Sequence, residues 1–476
     1  MRRDRVCWVL PLLLASTGTA WADTDLRVYG YLDVDIEEVT NGLKTQTLIG
    51  SNLSYIGFAA QHDIYTDTKV VAQVEAEAAI ASTPSFKNAL GFRNSFLGVA
   101  NKQWGTVKLG KNDTPYKSAT ASFDPFANTI ADYNSIMGNT GGDGRTEFDS
   151  RAQHAIWYES PTIAGLQFNF LWSPGQNAAG DSGNFPLGDN VCSGSTFGGN
   201  ASGNAGVSTL FGSSGFPGLH ASHNSLTAGS GASVGTGFSE CTDGAWGDLY
   251  STSIVYKRGG FTGIAAGELH HSVNRLSDAV PGGNGNLANQ FNATTVDGSF
   301  ALTTATEWAA KVGAGYDFGD VRVYAIGEYM RRTQVQTGFN ERTRYGVYAS
   351  ATWRFMPNDE VSFAYAHAFS TPGNPGVNTS VNFIDGVSFG IPHTGHCNLG
   401  DASQDNQADL FGLGVRHFFT PAITAYAVAT LIHNHECAHY GITGGPGITV
   451  LQRNQFNETF PGKDLAGVSL GATYRF

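Results

Sequence analysis

The sequence predicts an all-β protein, a transmembrane antiparallel β-barrel of sixteen strands. Three observations carry that expectation. Residues 466–476 (AGVSLGATYRF) alternate strictly. Ala466, Val468, Leu470, Ala472, Tyr474 and Phe476 share one face, and Gly467, Ser469, Gly471, Thr473 and Arg475 the other. Such a period of two is a strand with an apolar side and a polar or tiny side, and an aromatic terminus suits a lipid interface. Second, the same alternation recurs along the chain, with short and long links taking turns. Third, the chain opens on an export-type leader and offers no later stretch long enough for a spanning helix.

The leader comes first. Arg2, Arg3 and Arg5 form a basic start, a short apolar run follows, and Ala20-Trp21-Ala22 is a small-residue cleavage pattern. Residues 1–22 therefore read as a signal peptide and 23–476 as one barrel domain. The apolar run is too short to serve as a membrane anchor. Removing the leader's three arginines and one aspartate leaves 25 basic against 39 acidic residues, a net charge of −14. That balance excludes nucleic acid as a partner and makes a lumen mildly favourable to cations.

The strands follow in pairs. Residues 26–38 form the first, with Arg27, Tyr29, Tyr31 and Asp33 on one face. A moderate loop leads to 54–64, and Tyr65-Thr66-Asp67-Thr68 turns tightly into 69–80, where Gln73, Glu75 and Glu77 oppose Val74, Ala76 and Ala78. Strand 92–102 turns at Gln103-Trp104-Gly105 into 106–112, and a long loop, 113–150, follows. Strands 151–159 and 166–173 join across 160–165, before a very long Gly/Ser/Asn-rich loop, 174–247. Five later turns or strand ends complete the count: 257–261, 317–320, 356–359, 418–421 and the terminal strand. The clearest strand sets Tyr345, Val347, Ala349, Ala351, Trp353 and Phe355 against Arg344, Gly346, Tyr348, Ser350, Thr352 and Arg354. A soluble sandwich also alternates, but its long and short links need not take turns over a whole chain. Even strand number, short periplasmic turns and long extracellular loops are the pattern of an outer-membrane barrel.

Against that background the chain resembles the general porins of Gram-negative bacteria. The matching segments are LRVYGYLD at 26–33, RNSFLGVANKQWGTVKLGK at 93–111, RAQHAIWYESPTIAG at 151–165 and the terminal GATYRF. The resemblance implies a homotrimer set in outer-membrane lipid and lipopolysaccharide, whose third extracellular loop (113–150) folds into each lumen. It implies a water-filled channel for passive diffusion of small hydrophilic solutes and ions, with no cofactor and no catalysis. Three features depart from it. Ser54-Tyr55 precede Ile56 where relatives often carry arginine, a Pro-Glu-Phe-Gly-Gly motif is missing from the third loop, and the fourth loop is unusually long.

A channel selects by bore and by charge at its narrowest point. Loop 113–150 holds Asp113, Asp124, Asp132, Asp143, Glu147 and Asp149, so folded inward it would present an acidic constriction edge. The facing basic wall would include Arg151 and Lys111, which match family positions, with Arg93 and Arg27 inward by alternation; Lys108, Arg322 and Arg416 are further inward cations. Lys111 shares the parity of outward Leu109, so its side chain must turn inward at the strand end.

Four cysteines follow the leader, Cys192, Cys241, Cys397 and Cys437, an even count that suggests two disulfides in an exported chain. Cys192 and Cys241 bracket the fourth long loop, and Cys397 and Cys437 lie in the last two long loops. His393, His396, His433, His435 and His439 surround the second pair, and a zinc or copper site is the alternative reading there. Their spacing matches no standard zinc motif, so no metal is assigned, and a solute-specific or metal-binding channel is the second functional reading. Two G-x-S-x-G strings, at 467–471 and 386–390, lack the strand-to-helix turn a hydrolase elbow requires.

Overall fold

The computed structural model describes residues 24–43, 45–78, 80–81, 90–91, 93–137, 148–149, 151–174, 248–273, 305–332, 343–370, 407–436, 438, 440–442 and 462–476. The leader and Cys192, Cys241, Cys397 and Cys437 lie outside these residues, as do His393, His396 and His439.

The chain forms one closed antiparallel sheet. In order its strands are β1 (Thr24–Thr40), β2 (Thr45–Ser51), β3 (Tyr55–Tyr65), β4 (Thr68–Glu77), β5 (Ser95–Asn101), β6 (Gly105–Asp113), β7 (Arg151–Glu159), β8 (Leu166–Ser173) and β9 (Asp248–Arg258). They continue as β10 (Phe261–Val273), β11 (Ala305–Asp317), β12 (Val321–Arg332), β13 (Arg344–Met356), β14 (Asp359–Ala368), β15 (Ala408–Phe418), β16 (Ile423–Asn434) and β17 (Leu465–Arg475). Seventeen segments make sixteen staves, because β2 and β3 share one. The upper part of β1 pairs with β2 (Val34 opposite Ser51) and its lower part with β3 (Tyr31 opposite Tyr55). The ring closes where β1 meets β17, with Tyr31 opposite Arg475 and Thr40 opposite Ala466.

The expectation that 39–53 is mostly loop is corrected by this arrangement. Asn41-Gly42 turns a hairpin, with Gly42 at φ +82° and Asn41 Oδ1 accepting from the Leu43 amide. That dipeptide is a strong hairpin signal, since both residues tolerate positive φ. The stave then breaks at Asn52-Leu53-Ser54. Leu53 sits at φ +52°, and Ser54 Oγ takes over the ladder by accepting from the Asp33 amide and donating to its carbonyl.

The expected faces hold. On β13, Tyr345, Val347, Trp353 and Phe355 are exposed outward, while Arg344, Tyr348, Ser350 and Thr352 are buried inward. Tyr345 to Phe355 spans about 33 Å of strand, which at a tilt near 40° is roughly the 25 Å height of a lipid-facing band. Aromatic rings cluster at both edges of that band. Trp308, Tyr329 and Tyr345 stack around one edge, and Tyr316–Phe318, Trp353–Phe355 and Tyr474–Phe476 pair around the other. Between them lie aliphatics such as Val312 and Leu470, 63% and 66% exposed. Removing so much apolar surface from water is favourable only if lipid covers it.

The main buried apolar cluster lies inside the ring. It joins Tyr116, Phe123, Phe126, Ile130, Ile136 and Met137 of the third loop to the inner faces of β10–β17. A barrel interior filled on one side by a folded-in segment is the frame for the site.

Candidate functional site

The loop after β6 begins with a short helix, α1 (Pro115–Thr120). Thr114 caps it, its hydroxyl accepting from the Lys117 amide, and Pro115 supplies a preset first turn. The loop then runs along the inner wall. Tyr116 donates its hydroxyl to Glu328 at 2.7 Å, Ser350 donates to the Phe123 carbonyl at 2.7 Å, and Arg416 donates to the Pro125 carbonyl. Phe123 stacks on Tyr324, ring centroids 4.6 Å apart.

Small residues on the wall make room for it. A β-carbon at Gly313 would lie 2.8 Å from the Phe123 ring, at Gly414 2.7 Å from Phe126, and at Gly467 3.2 Å from Ile130. Gly346 meets Met137 in the same way, its β-carbon position 2.5 Å from the sulfur. These inward glycines form a bed for the loop.

The acidic residues of the loop divide into three groups. Asp124 and Asp132 hold the loop's own backbone. Asp124 accepts from the Phe126 and Tyr133 amides and from the Tyr348 hydroxyl. Asp132 accepts from the Asn128 and Asn134 amides and caps the single 3-10 turn at Tyr133–Ser135. Burial pushes the Asp124 carboxyl up to about 6. Burial and the nearby Asp124 charge push Asp132 up to about 8. Asp149 accepts from the Asn134 amide group at 2.9 Å and lies 3.6 Å from the Lys311 ammonium. Asp143 and Glu147 lie outside the described residues.

Asp113 belongs to the opposite wall. Its carboxylate is 3.1 Å from Arg151 and 3.8 Å from Lys117, and it accepts from Asn94 at 2.9 Å. Asn94 in turn accepts from Arg151 Nε at 2.6 Å. Arg93 is 3.8 Å from Glu75 and its guanidinium lies over the Tyr55 ring at 4.8 Å. Arg93 thus lies within electrostatic reach of both Arg151 and Asp113. Arg27 is exposed and near the Tyr29 ring. Lys108 pairs with Glu159 at 2.9 Å and Arg322 with Glu360 at 2.8 Å. At Lys111, β6 stays in register with β5, Ser95 opposite Lys111 and Leu97 opposite Leu109, while the register shift toward β7 puts the extra residue on β7, where His154 sits at φ +45°.

Several residues at the site carried no sequence signal of their own role. Lys311 is buried, donates to Thr120 at 2.7 Å and sits 4.0 Å from the Tyr116 ring centroid. Alternation places it inward, but only the fold brings it to α1. Among the described residues no group of three or more His, Cys, Asp or Glu is set to hold a metal ion. His435 and His367 instead flank Asp409, at 3.2 and 2.8 Å. The G-x-S-x-G string at 467–471 lies wholly inside β17, as alternation predicts, and its second copy lies outside the described residues.

Comparison with known proteins fits this geometry. A family model described as Gram-negative porin matches residues 10–222. Over that stretch the chain is similar to the Gram-negative porins. The major outer membrane protein P.IB of Neisseria sicca is 26% identical over 179 residues, covering 36% of this chain and 47% of that protein. P.IB of Neisseria lactamica is 25% identical over 191 residues, covering 38% and 54%. The chain thus spans about half the length of these two relatives. P.IA of Neisseria meningitidis serogroup C is 22% identical over 390 residues, covering 79% and 85%. Among solved structures, the fold is shared with an anion-selective porin from Comamonas acidovorans (TM-score 0.55, 14% identity, 95% of this chain and all of that one). It is shared likewise with OmpT of Vibrio cholerae (TM-score 0.52, 13% identity, 95% and 98% covered). The barrel resides in the outer membrane, consistent with its exposed apolar band between aromatic edges.

Proposed function

We propose that this porin is a water-filled channel through which small hydrophilic solutes and ions diffuse passively, with a mild preference for cations, and that it works as a homotrimer. One observation carries the reading: a structured loop packs inside a closed ring, against one side of the lumen, and faces a charged wall. That places fixed charges beside the narrowed passage, where they act most strongly on passing solutes. The net charge of −14 after the leader and the inward carboxylates Asp33 and Glu75 support the cation preference. The constriction roles of Asp113, Asp149, Arg93 and Arg151 belong to the same proposal.

Planar-bilayer recording of the purified protein tests it. The expectation is stepwise ohmic conductance, triplet steps from each inserted trimer, and a reversal potential in a KCl gradient that favours K⁺. Failure to conduct, or a current that saturates with one solute and is blocked by it, would reject general diffusion.

A further inference from the structure

Above the Asn52–Ser54 break, the inner face of β1 carries Asp33, Asp35 and Glu37, all buried. Asp33 is well served. It accepts from Tyr31 at 2.9 Å and from Tyr426 at 2.8 Å. Its two neighbours are not. Asp35 Oδ1 and Glu37 Oε1 are buried without a hydrogen-bond partner, and so is Asn52 Oδ1. Asn52 is fully buried, and its orientation is fixed by a chain of donors. The Tyr426 hydroxyl gives its proton to Asp33, so its oxygen accepts from Asn52 Nδ2 at 3.0 Å. The Asn52 carbonyl oxygen must then point the other way, toward the carboxylates.

The three bare oxygens converge on one place. Gly50 lies directly across the ladder from Asp35. A β-carbon at residue 50 would lie 2.5 Å from Asp35 Oδ1, 3.3 Å from Glu37 Oε1 and 3.4 Å from Asn52 Oδ1. Glycine leaves that point free of a side chain. Ser469, opposite Glu37 across the closing seam, adds a fourth unpartnered buried oxygen nearby. Buried polar atoms are nearly always satisfied, and each orphan costs about 1–3 kcal/mol, more when charged. Two adjacent carboxylates and an amide oxygen, all acceptors, call for a positive charge.

We propose that Asp35, Glu37 and Asn52 bind a hard divalent cation, of the Ca²⁺ class, on the inner wall in front of Gly50. Oxygen-only ligands, two of them anionic and one an amide carbonyl, suit Ca²⁺, which completes its shell with water from the lumen. Thiol- or imidazole-seeking metals find no ligand among these residues. The bound ion neutralises the pair and ties β1 to the broken stave through Asn52. The site depends on the barrel but not on transport.

Terbium luminescence tests it on the full chain folded in detergent at neutral pH, because Tb³⁺ replaces Ca²⁺ and is sensitised by a nearby tyrosine, here Tyr426. The expected result is a saturable signal displaced by Ca²⁺, with affinity lowered at least tenfold in Asp35→Asn and Glu37→Gln. Gly50→Ala, which keeps every ligand but fills the point of convergence, should lower it as much. Glu75→Gln, on the wall away from the three ligands, should retain it. Far-UV circular dichroism and heat-modifiable gel mobility establish that each variant is folded. The proposal is overturned if the wild type gives no Ca²⁺-displaceable signal, the outcome expected were the two carboxylates to share a proton instead. It is equally overturned if folded Glu37→Gln and Gly50→Ala bind as the wild type does.

Discussion

Two sides of the same lumen solve opposite problems. From β9 to β17 the inner face carries small residues, aromatics and buried charges such as Lys311 and Glu328, and the third loop lies on it as a second layer. From β3 to β7 the inner face keeps its charges, and Arg93 pairs with Glu75 as Arg151 pairs with Asp113. One side behaves like the interior of a soluble domain, where volume and shape decide. The other behaves like a wet cleft, where fixed charge decides. Packing on the first side sets where the loop stands, and on the proposed function that position sets the width of the passage.

The largest effect should come from breaking the packed side. Phe123→Ala empties a fully buried ring site, which costs about 3–5 kcal/mol of loop docking. The expected readout is a larger and noisier single-channel current, with a sheet that remains heat-modifiable on gels. An unchanged current would mean that the loop does not narrow the passage.

Lys311→Met sharpens the link between the sides. It leaves Asp149 and Glu328 in a buried setting without their shared cation, a loss on the order of 3–5 kcal/mol. A loop loosened in this way should become open to proteolysis from outside while the wild type is cut slowly.

On the charged side the effects are on selectivity rather than stability. Arg151→Gln removes the closest cation to Asp113 and should shift the reversal potential toward K⁺ by a few-fold in permeability ratio, with a change in stability of about 1 kcal/mol at most. A shift toward Cl⁻ would reverse the assignment of that wall.

The smallest effect is with pH. Asp124 and Asp132 carry carboxyls raised by burial, so the folded loop holds their protons more tightly than an undocked one does. Their contribution to docking is fully present below about pH 4 and is lost as pH rises through about 6 and then about 8. Current noise should therefore grow between about pH 4 and about pH 8 and subside on acidification. In Asp132→Asn, which cannot ionise, the upper part of that rise should disappear.

The sequence made the ring legible and the plug only partly so. Alternation is a local property, so the faces of β13 and β17 and the tight turns could be read residue by residue. The break between β2 and β3 was hidden because TQTLIGS is polar enough to pass for a loop, although Asn41-Gly42 marked the hairpin. Lys111 keeps the parity of Leu109 against β5, and the extra residue of the neighbouring bulge belongs to β7. The acidic residues of the loop were read as a single edge. In the fold, Asp124 and Asp132 turn to backbone amides, which only the loop's own path could reveal. The glycine bed was equally silent. Gly313 and Gly414 are ordinary inward residues until Phe123 and Phe126 arrive from far away in sequence.

That distance has a consequence for assembly. Asp124 meets Tyr348 across 224 residues of chain, and Pro125 meets Arg416 across 291. Such remote partners are slow to find one another. The loop has no bed to lie on until the later staves have joined the ring, so its docking is among the last events of maturation.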